Sequence, residues 1–439
     1  MEIHINLARP KDPIDLSSAR FPTTTKQRLM DGETPYFPEE IIRGILIRLP
    51  VKSLIRFQCV SKKWKNLIKR PSFVDDHLRR STHQYPSLLL WRYPHPYPPS
   101  VLPCRQNGTS RPLQLRLMDS EMHVRELQIP PSLLDSKLNV KIVGSCNGLV
   151  CAEINQYYDR SASRNFRKSI LLWNPATGEV KQIPRTRTYE TTEWDCIGFG
   201  FSPIVNDYKI VQIHVTIHYG SPIEVYSLST DSWKEIGTEN LKGVRPNGDW
   251  VTVNGRMFWR TLRGKVGGKE QGYFILSFDI ATEVFTAIPW PPQVFCRGHY
   301  CDLSVHNNKL AIIRVPTIGH LHSWIDLWVL EEEDGISSST GRWSWTGKFP
   351  SDICSGTTMI PMTIWRNNFV FFSDEKPIPT NGSGSEMEND KQRVCQSFTE
   401  IISINEGRIS MIPGFYDDVF NHVESLVPIG NIHLEEPLF

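Results

Sequence analysis

An asparagine-centred turn recurs along this 439-residue chain, each time just before a short apolar or aromatic run. The instances are Asn147-Gly-Leu-Val-Cys-Ala, Asn206-Asp-Tyr-Lys-Ile-Val, Asn254-Gly-Arg-Met-Phe-Trp, Asn307-Asn-Lys-Leu-Ala-Ile and Asn367-Asn-Phe-Val-Phe-Phe. Successive asparagines lie 59, 48, 53 and 60 residues apart. Asn-Gly and Asn-Asn suit tight hairpins that need positive φ, and a period near ~50 residues is that of a kelch-like propeller blade.

A second unit follows each of these: an apolar strand, a polar turn, and a strand that often closes with Ile-Pro. It appears at Leu171–Pro184, Glu224–Ile236, Leu276–Pro289 and Ile401–Pro413, and with a longer acidic turn at Ile325–Leu330 and Trp343–Thr346. Each period therefore offers four strands. One such sheet leaves two faces and two edges unsatisfied, and radial stacking of several sheets covers the faces and shortens the edges. A weaker first unit runs across Ser87–Trp91, Leu113–Leu117 and Val124–Ile129, and Glu424-Ser-Leu-Val-Pro428 is the expected closing strand of that sheet. The spacing suits about six blades. Five or seven also fit, and two stacked sheets are the alternative architecture.

Composition narrows the class. Hydrophobic residues are 39% and charged residues 22%, as in a globular protein, and the net charge of +2 supplies no field for nucleic acid as the main partner. No apolar run approaches the ~18 residues of a membrane span, and the first 35 residues lack a signal-peptide core, so a cytoplasmic or nuclear location is expected. Nine scattered cysteines form no disulfide framework. The Cys146/Cys151 and Cys296/His299/Cys301 spacings lack a second half at zinc-finger distance, and buried thiols are the reading for these cysteines. No nucleophile elbow, P-loop or zincin motif is present. His214, His218, His299, His320 and His322 are weak candidates for an axial metal site. The expectation is a non-enzyme without metal or cofactor.

The amino end follows a different rule. Residues 1–35 read as a flexible tail. From Phe37-Pro38-Glu39-Glu40 a helix begins, with Ile41, Ile45 and Leu49 one stripe and Ile42 and Leu46 the next. Leu49-Pro50 stops it. A second helix spans about Val51–Cys59, with Val51, Leu54 and Phe57 three apart. Ser61 caps a third that carries Trp64, Leu67 and Ile68, which Pro71 ends, and Ser72 is placed to cap a further turn. These ~45 residues carry more apolar surface than so small a unit buries. Either another protein or the β domain covers the stripe. The basic residues between Arg43 and Arg70 alternate with apolar ones at helical spacing, as on a solvated face.

The run Phe37-Pro-Glu-Glu-Ile-Ile through Leu49-Pro-Val-Lys-Ser-Leu-Ile-Arg-Phe57 and Val60-Ser-Lys-Lys-Trp64 resembles a plant F-box, with Phe37 where that family usually has leucine. Ser145-Cys-Asn-Gly-Leu-Val-Cys, Leu172-Trp-Asn-Pro-Ala-Thr-Gly, Gly198-Phe-Gly-Phe-Ser-Pro and Glu424-Ser-Leu-Val resemble the F-box-associated interaction domain of the same proteins. The resemblance implies an α+β, multidomain chain: a three-helix F-box at 36–80 and an all-β, propeller-like substrate-binding domain at 85–430. It further implies that Phe37, Pro38, Ile41, Ile45, Leu46, Leu49, Pro50, Val51, Leu54, Val60 and Trp64 form the F-box core or the face that meets a Skp-type adaptor. Through the adaptor, a cullin and a RING subunit of a ubiquitin ligase would join. The alternatives are a nucleic-acid-associated binder using the basic helices, and a glycan-binding or enzymatic propeller using its tryptophans.

Overall fold

A computed structural model describes residues 37–92, 113–134, 138–157, 166–185, 194–215, 222–237, 244–263, 272–294, 299–316, 323–332, 343–353, 358–374, 397–403, 409–412 and 416–430. The expected tail at 1–35, most of the acidic insertion after Glu332 and the 375–396 excursion fall outside them. The chain divides into two compact units, 1–49 and 50–439.

The first unit contributes helix α1, Glu39–Leu46, which starts after Pro38 with Glu39 and Glu40 in its first turn. Acidic side chains there complement the positive end of the helix dipole.

The second unit opens with α2 (Val51–Phe57), α3 (Lys62–Ile68) and α4 (Pro71–Gln84). Ser61 caps α3 as expected, its Oγ accepting from Trp64 N at 3.1 Å. Ser72 does not cap α4. Pro71 occupies the first turn and the helix runs 14 residues, so the fourth helix is the longest of the four rather than a single turn.

The rest of this unit is six four-stranded antiparallel sheets. Five are built from consecutive strands. Blade 2 holds β4 (Leu138–Cys146), β5 (Leu149–Tyr157), β6 (Phe166–Trp173) and β7 (Val180–Ile183). Blade 3 holds β8 (Trp194–Ser202), β9 (Asp207–Val215), β10 (Ile223–Ser227) and β11 (Ser232–Ile236). Blade 4 holds β12 (Val244–Val253), β13 (Arg256–Arg263), β14 (Tyr273–Asp279) and β15 (Val284–Pro289). Blade 5 holds β16 (His299–His306), β17 (Lys309–Pro316), β18 (Ser323–Glu332) and β19 (Trp343–Ile353). Blade 6 holds β20 (Thr358–Trp365), β21 (Asn368–Asp374), β22 (Ser397–Ser403) and β23 (Ile409–Ile412).

Blade 1 is composite. The strands β1 (Ser87–Arg92), β2 (Gln114–Met118) and β3 (Val124–Glu126) take β24 (Asp418–His422) as their innermost neighbour. The closing strand therefore lies just before the expected Glu424–Pro428. Its pairing with β1 runs from Ser87↔His422 to Trp91↔Asp418. Strand alternation misplaced it, because Glu424–Val427 is extended and apolar but bonds through side chains instead.

Inner strands β24, β4, β8, β12, β16 and β20 pack each on the next and close a ring. The asparagine turns link the first and second strands of blades 2–6, with φ between 48° and 60° at Asn147, Asn206, Asn254, Asn307 and Asn367. Asparagine tolerates this left-handed backbone better than any other residue but glycine. Apolar clusters fill the junctions of blades 1/2, 3/4, 4/5, 5/6 and 6/1. At 2/3, Leu149, Leu172, Phe199, Ile210 and Tyr226 are buried.

Candidate functional site

Helix α1 by itself sorts the apolar residues of its sequence. Leu46 is 1% exposed, whereas Phe37 and Ile45 are 57% and Ile41 is 49% exposed. Pro38 and Pro50 are exposed and Leu49 is half-buried. Ile41 and Ile45, four apart within α1, share one face, and Phe37 is exposed just ahead of the N-cap Pro38. Exposed aliphatic and aromatic side chains gathered in so short a segment are unfavourable in water.

Helices α2–α4 sort theirs too. Val51, Leu54, Leu67, Ile68, Phe73 and Val74 are buried and form the interior. Trp64 is half-buried, its ring edge-on to Phe57 with centroids 5.6 Å apart. Val60 is 61% exposed at the α2–α3 corner. Lys52, Arg56, Lys62, Lys63, Lys65, Lys69 and Arg70 are all exposed, as a solvated polar face requires. Period alone could not separate interior from face, since both recur at helical spacing.

In the propeller, polar groups on and beside the inner strands hold blades together. Asn147 Nδ2 donates to Tyr208 Oη at 3.1 Å across the 2/3 junction. Thr252 Oγ1 donates to Phe199 O at 3.1 Å across 3/4, and Asn254 Nδ2 to Asn308 O at 3.0 Å across 4/5. Ile364 N donates to Ser304 Oγ at 3.1 Å across 5/6, and Asn421 Nδ2 to Ile364 O at 3.0 Å across 6/1. Ser145 Oγ lies 2.8 Å from His422 Nδ1 across 1/2, closing the circuit. Every junction thus carries a polar link at or near the inner strands. At the outer strands, Trp233 Nε1 donates to Pro184 O (2.6 Å) and Trp345 Nε1 to Pro289 O (3.3 Å), so the recurrent Ile-Pro ends receive the next blade's indole.

The chain matches the F-box domain over residues 36–76 and the F-box associated beta propeller domain over residues 107–429. It belongs to the F-box-associated β-propeller family. An F-box/kelch-repeat protein of Arabidopsis thaliana is 26% identical over 306 residues, covering 68% of this chain and 71% of its own length. An F-box protein of the same plant is 26% identical over 363 residues, covering 76% and 78%. Among solved structures, the β-propeller domain of the trilobed protease from Pyrococcus furiosus aligns over 76% of this chain and 93% of its own at 8% identity. Its TM-score of 0.33 is too low to carry any argument.

The motif residues Gly148, Asn174 and Ser425 meet at one place that the sequence did not connect. Ser425 Oγ donates to Asn147 O at 2.6 Å, and Ile429 N to Glu179 Oε2 at 2.9 Å. The segment following the closing strand is thereby tied to the hairpins of blade 2. A Cβ on Gly148 would fall 2.4 Å from Ser425 Oγ, which is why glycine stands there.

The ionisable groups serve structure. His214 Nε2 lies 2.7 Å from Glu224 Oε2, both buried, and the side chains of the other four candidate histidines fall outside the described residues. Among the described residues no group of three or more His, Cys, Asp or Glu suits a metal ion. Burial pushes the Cys146 thiol up to about 12 and that of Cys151 well above its ordinary value, so both stay protonated and unreactive as nucleophiles. Lys209 and Lys234 hold Glu283 at 2.6 and 2.7 Å between blades 3 and 4. Burial raises the Glu283 carboxyl, but the two ammonium groups outweigh it and the net shift is downward.

Proposed function

We propose that this chain is the target-recognition subunit of an SCF-type (Skp–cullin–F-box) ubiquitin ligase, a non-catalytic receptor in the cytoplasm or nucleus. Its F-box docks a Skp-type adaptor and, through it, cullin and RING subunits, while the propeller holds a protein target. The observation that carries this reading is the exposure of Phe37, Ile41 and Ile45 within a segment that matches the F-box domain. The residues assigned to docking are these three with Pro38 and Pro50. Leu46 is buried on α1, and Val51 and Leu54 are buried within the second unit. Ligation then gains from proximity, by raising the local concentration of target lysines near the charged enzyme.

Helix α4 enters blade 1 at Ser87, beside the end of the inner strand at His422 and so on the face of the asparagine hairpins. Connections between the second and third strands of each blade leave from the opposite face, which is therefore free of the entering helix. The test is co-precipitation of the full chain with a Skp-type adaptor. Ile41→Asp/Ile45→Asp should abolish capture while the β-sheet circular dichroism and unfolding midpoint of the propeller stay unchanged. Retained capture by this variant would overturn the assignment of the docking face.

A further inference from the structure

The outermost strands of five blades are short: 3 residues in β3, 4 in β7, 5 in β11, 6 in β15 and 4 in β23. The outermost strand of blade 5 is different. β19 spans 11 residues, and among the described residues no strand pairs with its outer edge. Its inner edge is fixed to β18 over Trp343↔Glu332 through Ile353↔Ser323, with one irregularity near Ile325/Leu327.

An unpaired edge of this length is a row of backbone donors and acceptors, and proteins normally blunt such rows by shortening them, by proline or by charge. Within β19, Trp343-Ser-Trp-Thr-Gly-Lys-Phe349 has no proline and one charge, whereas Pro350 and Asp352 blunt the far end, so the open edge is residues 343–349. It is also rigid. Trp343 and Trp345 lean on the apolar cluster between blades 4 and 5, and the Trp345 indole is tied to Pro289 O. Ser344 and Thr346 are exposed on the opposite alternation.

We propose that β19 is a docking edge that takes an extended segment of the captured protein as a fifth strand of blade 5, a mode that rests on the target-receptor reading above. Backbone hydrogen bonds supply the affinity in such strand addition, and the flanking side chains select the sequence. Here one flank is an indole wall from Trp343 and Trp345 and the other is the small polar surface of Ser344 and Thr346. The preferred segment therefore alternates bulky apolar residues with small or polar ones.

A second copy of this chain fits the edge less well. Two propellers meeting along β19 share 11 residues a side, against the roughly 20–30 a side of a stable interface. An extended peptide requires the strand alone.

The test pans a displayed library of random 12-residue peptides on the full chain and reads backbone amide exchange with a selected peptide bound. Protection should appear on alternate amides of residues 343–349, the part of the edge ahead of Pro350. N-methylation of one alternating set of peptide amides should weaken binding at least tenfold, while methylating the other set leaves it within about threefold. Protection confined to other strands, or equal tolerance of both methylated sets, would overturn the proposal. So would a free chain that is a dimer with the β19 amides already protected, which would give the edge to self-pairing. Adaptor capture is measured separately, so loss of strand addition leaves the ligase reading standing and loss of adaptor capture does not mimic it.

Discussion

The side-chain amide of Asn174 reaches the segment around Ser425, donating to Ser425 O at 3.2 Å and to Val427 O at 2.9 Å. Its own oxygen accepts from Ala176 N and Thr177 N, so one buried side chain shapes a turn in blade 2 and clasps the segment that follows the ring-closing strand. Asn174→Asp keeps the turn but sets a carboxylate against two carbonyls. The cost should be about 2–4 kcal/mol, since buried groups left unpaired lose their full desolvation energy. Urea unfolding of the full chain measures it.

Gly148→Ala tests the same clasp from the other side. The added methyl meets Ser425 Oγ at 2.4 Å and Val423 O at 2.6 Å, at a backbone φ of +83°. Overpacking and left-handed strain together should cost about 2–4 kcal/mol. Gly178→Ala, also at positive φ but with nothing within 4 Å of the new methyl, should cost only the strain, about 1 kcal/mol. Equal losses for the two would show that the clasp is not tight.

His422 makes ring closure sensitive to acid. Burial, with a further push from Arg125, lowers its pKa from 6.5 to about 4. The unfolded chain takes up a proton near pH 6.5 and the folded one only near pH 4, so this residue costs no stability above pH 6.5. Between 6.5 and 4 the unfolded state gains, and folding weakens by up to about 3 kcal/mol. His422→Gln should remove that slope. The check is urea unfolding of both proteins at pH 7.5 and 4.5, comparing the differences.

Glu283→Gln at neutral pH leaves the nearly buried Lys209 ammonium without its anion, for a loss of about 2–4 kcal/mol. Lys209→Met/Glu283→Leu removes both charges and should recover most of it. In the unaltered protein this contribution persists above the ordinary carboxylate range and disappears as pH falls through the lowered pKa of Glu283.

Within the F-box, stability and docking should separate. Leu54→Ala empties a fully buried position and should cost about 2–5 kcal/mol of helix-segment stability. Ile45→Ala, at a position 57% exposed, should change stability by less than about 0.5 kcal/mol yet weaken adaptor binding at least tenfold. Calorimetry of unfolding and of adaptor binding gives both numbers.

Much of this was legible in the chain. The asparagine turns fixed where strands reverse because positive φ restricts residue choice, and their spacing set the blade length. The helical stripes located the F-box, but Ile45 and Leu46 differ only in facing, which periodicity cannot resolve without knowing what lies on each side. The clasp of Asn174 on Ser425 was invisible because it joins residues 251 apart through side-chain amide geometry. The closing strand was misplaced by a few residues for a related reason: Asp418–His422 has mixed polarity, since its inner-ring residues Asn421 and His422 bond to blades 6 and 2. The long edge of β19 left no mark either, because nothing in Trp343–Thr346 says how far pairing will extend.

The composite first blade has a consequence for biogenesis. Three of its strands emerge early during synthesis and must wait for Asp418–His422, which begins 292 residues after β3 ends, before the circle can shut. Until then β1 offers a bare apolar edge, Leu88 to Trp91, to whatever the cell supplies. A ribosome that stops before codon 418 would release an open necklace rather than a slightly shorter protein. Chaperone dependence should therefore persist until Asp418–His422 has emerged.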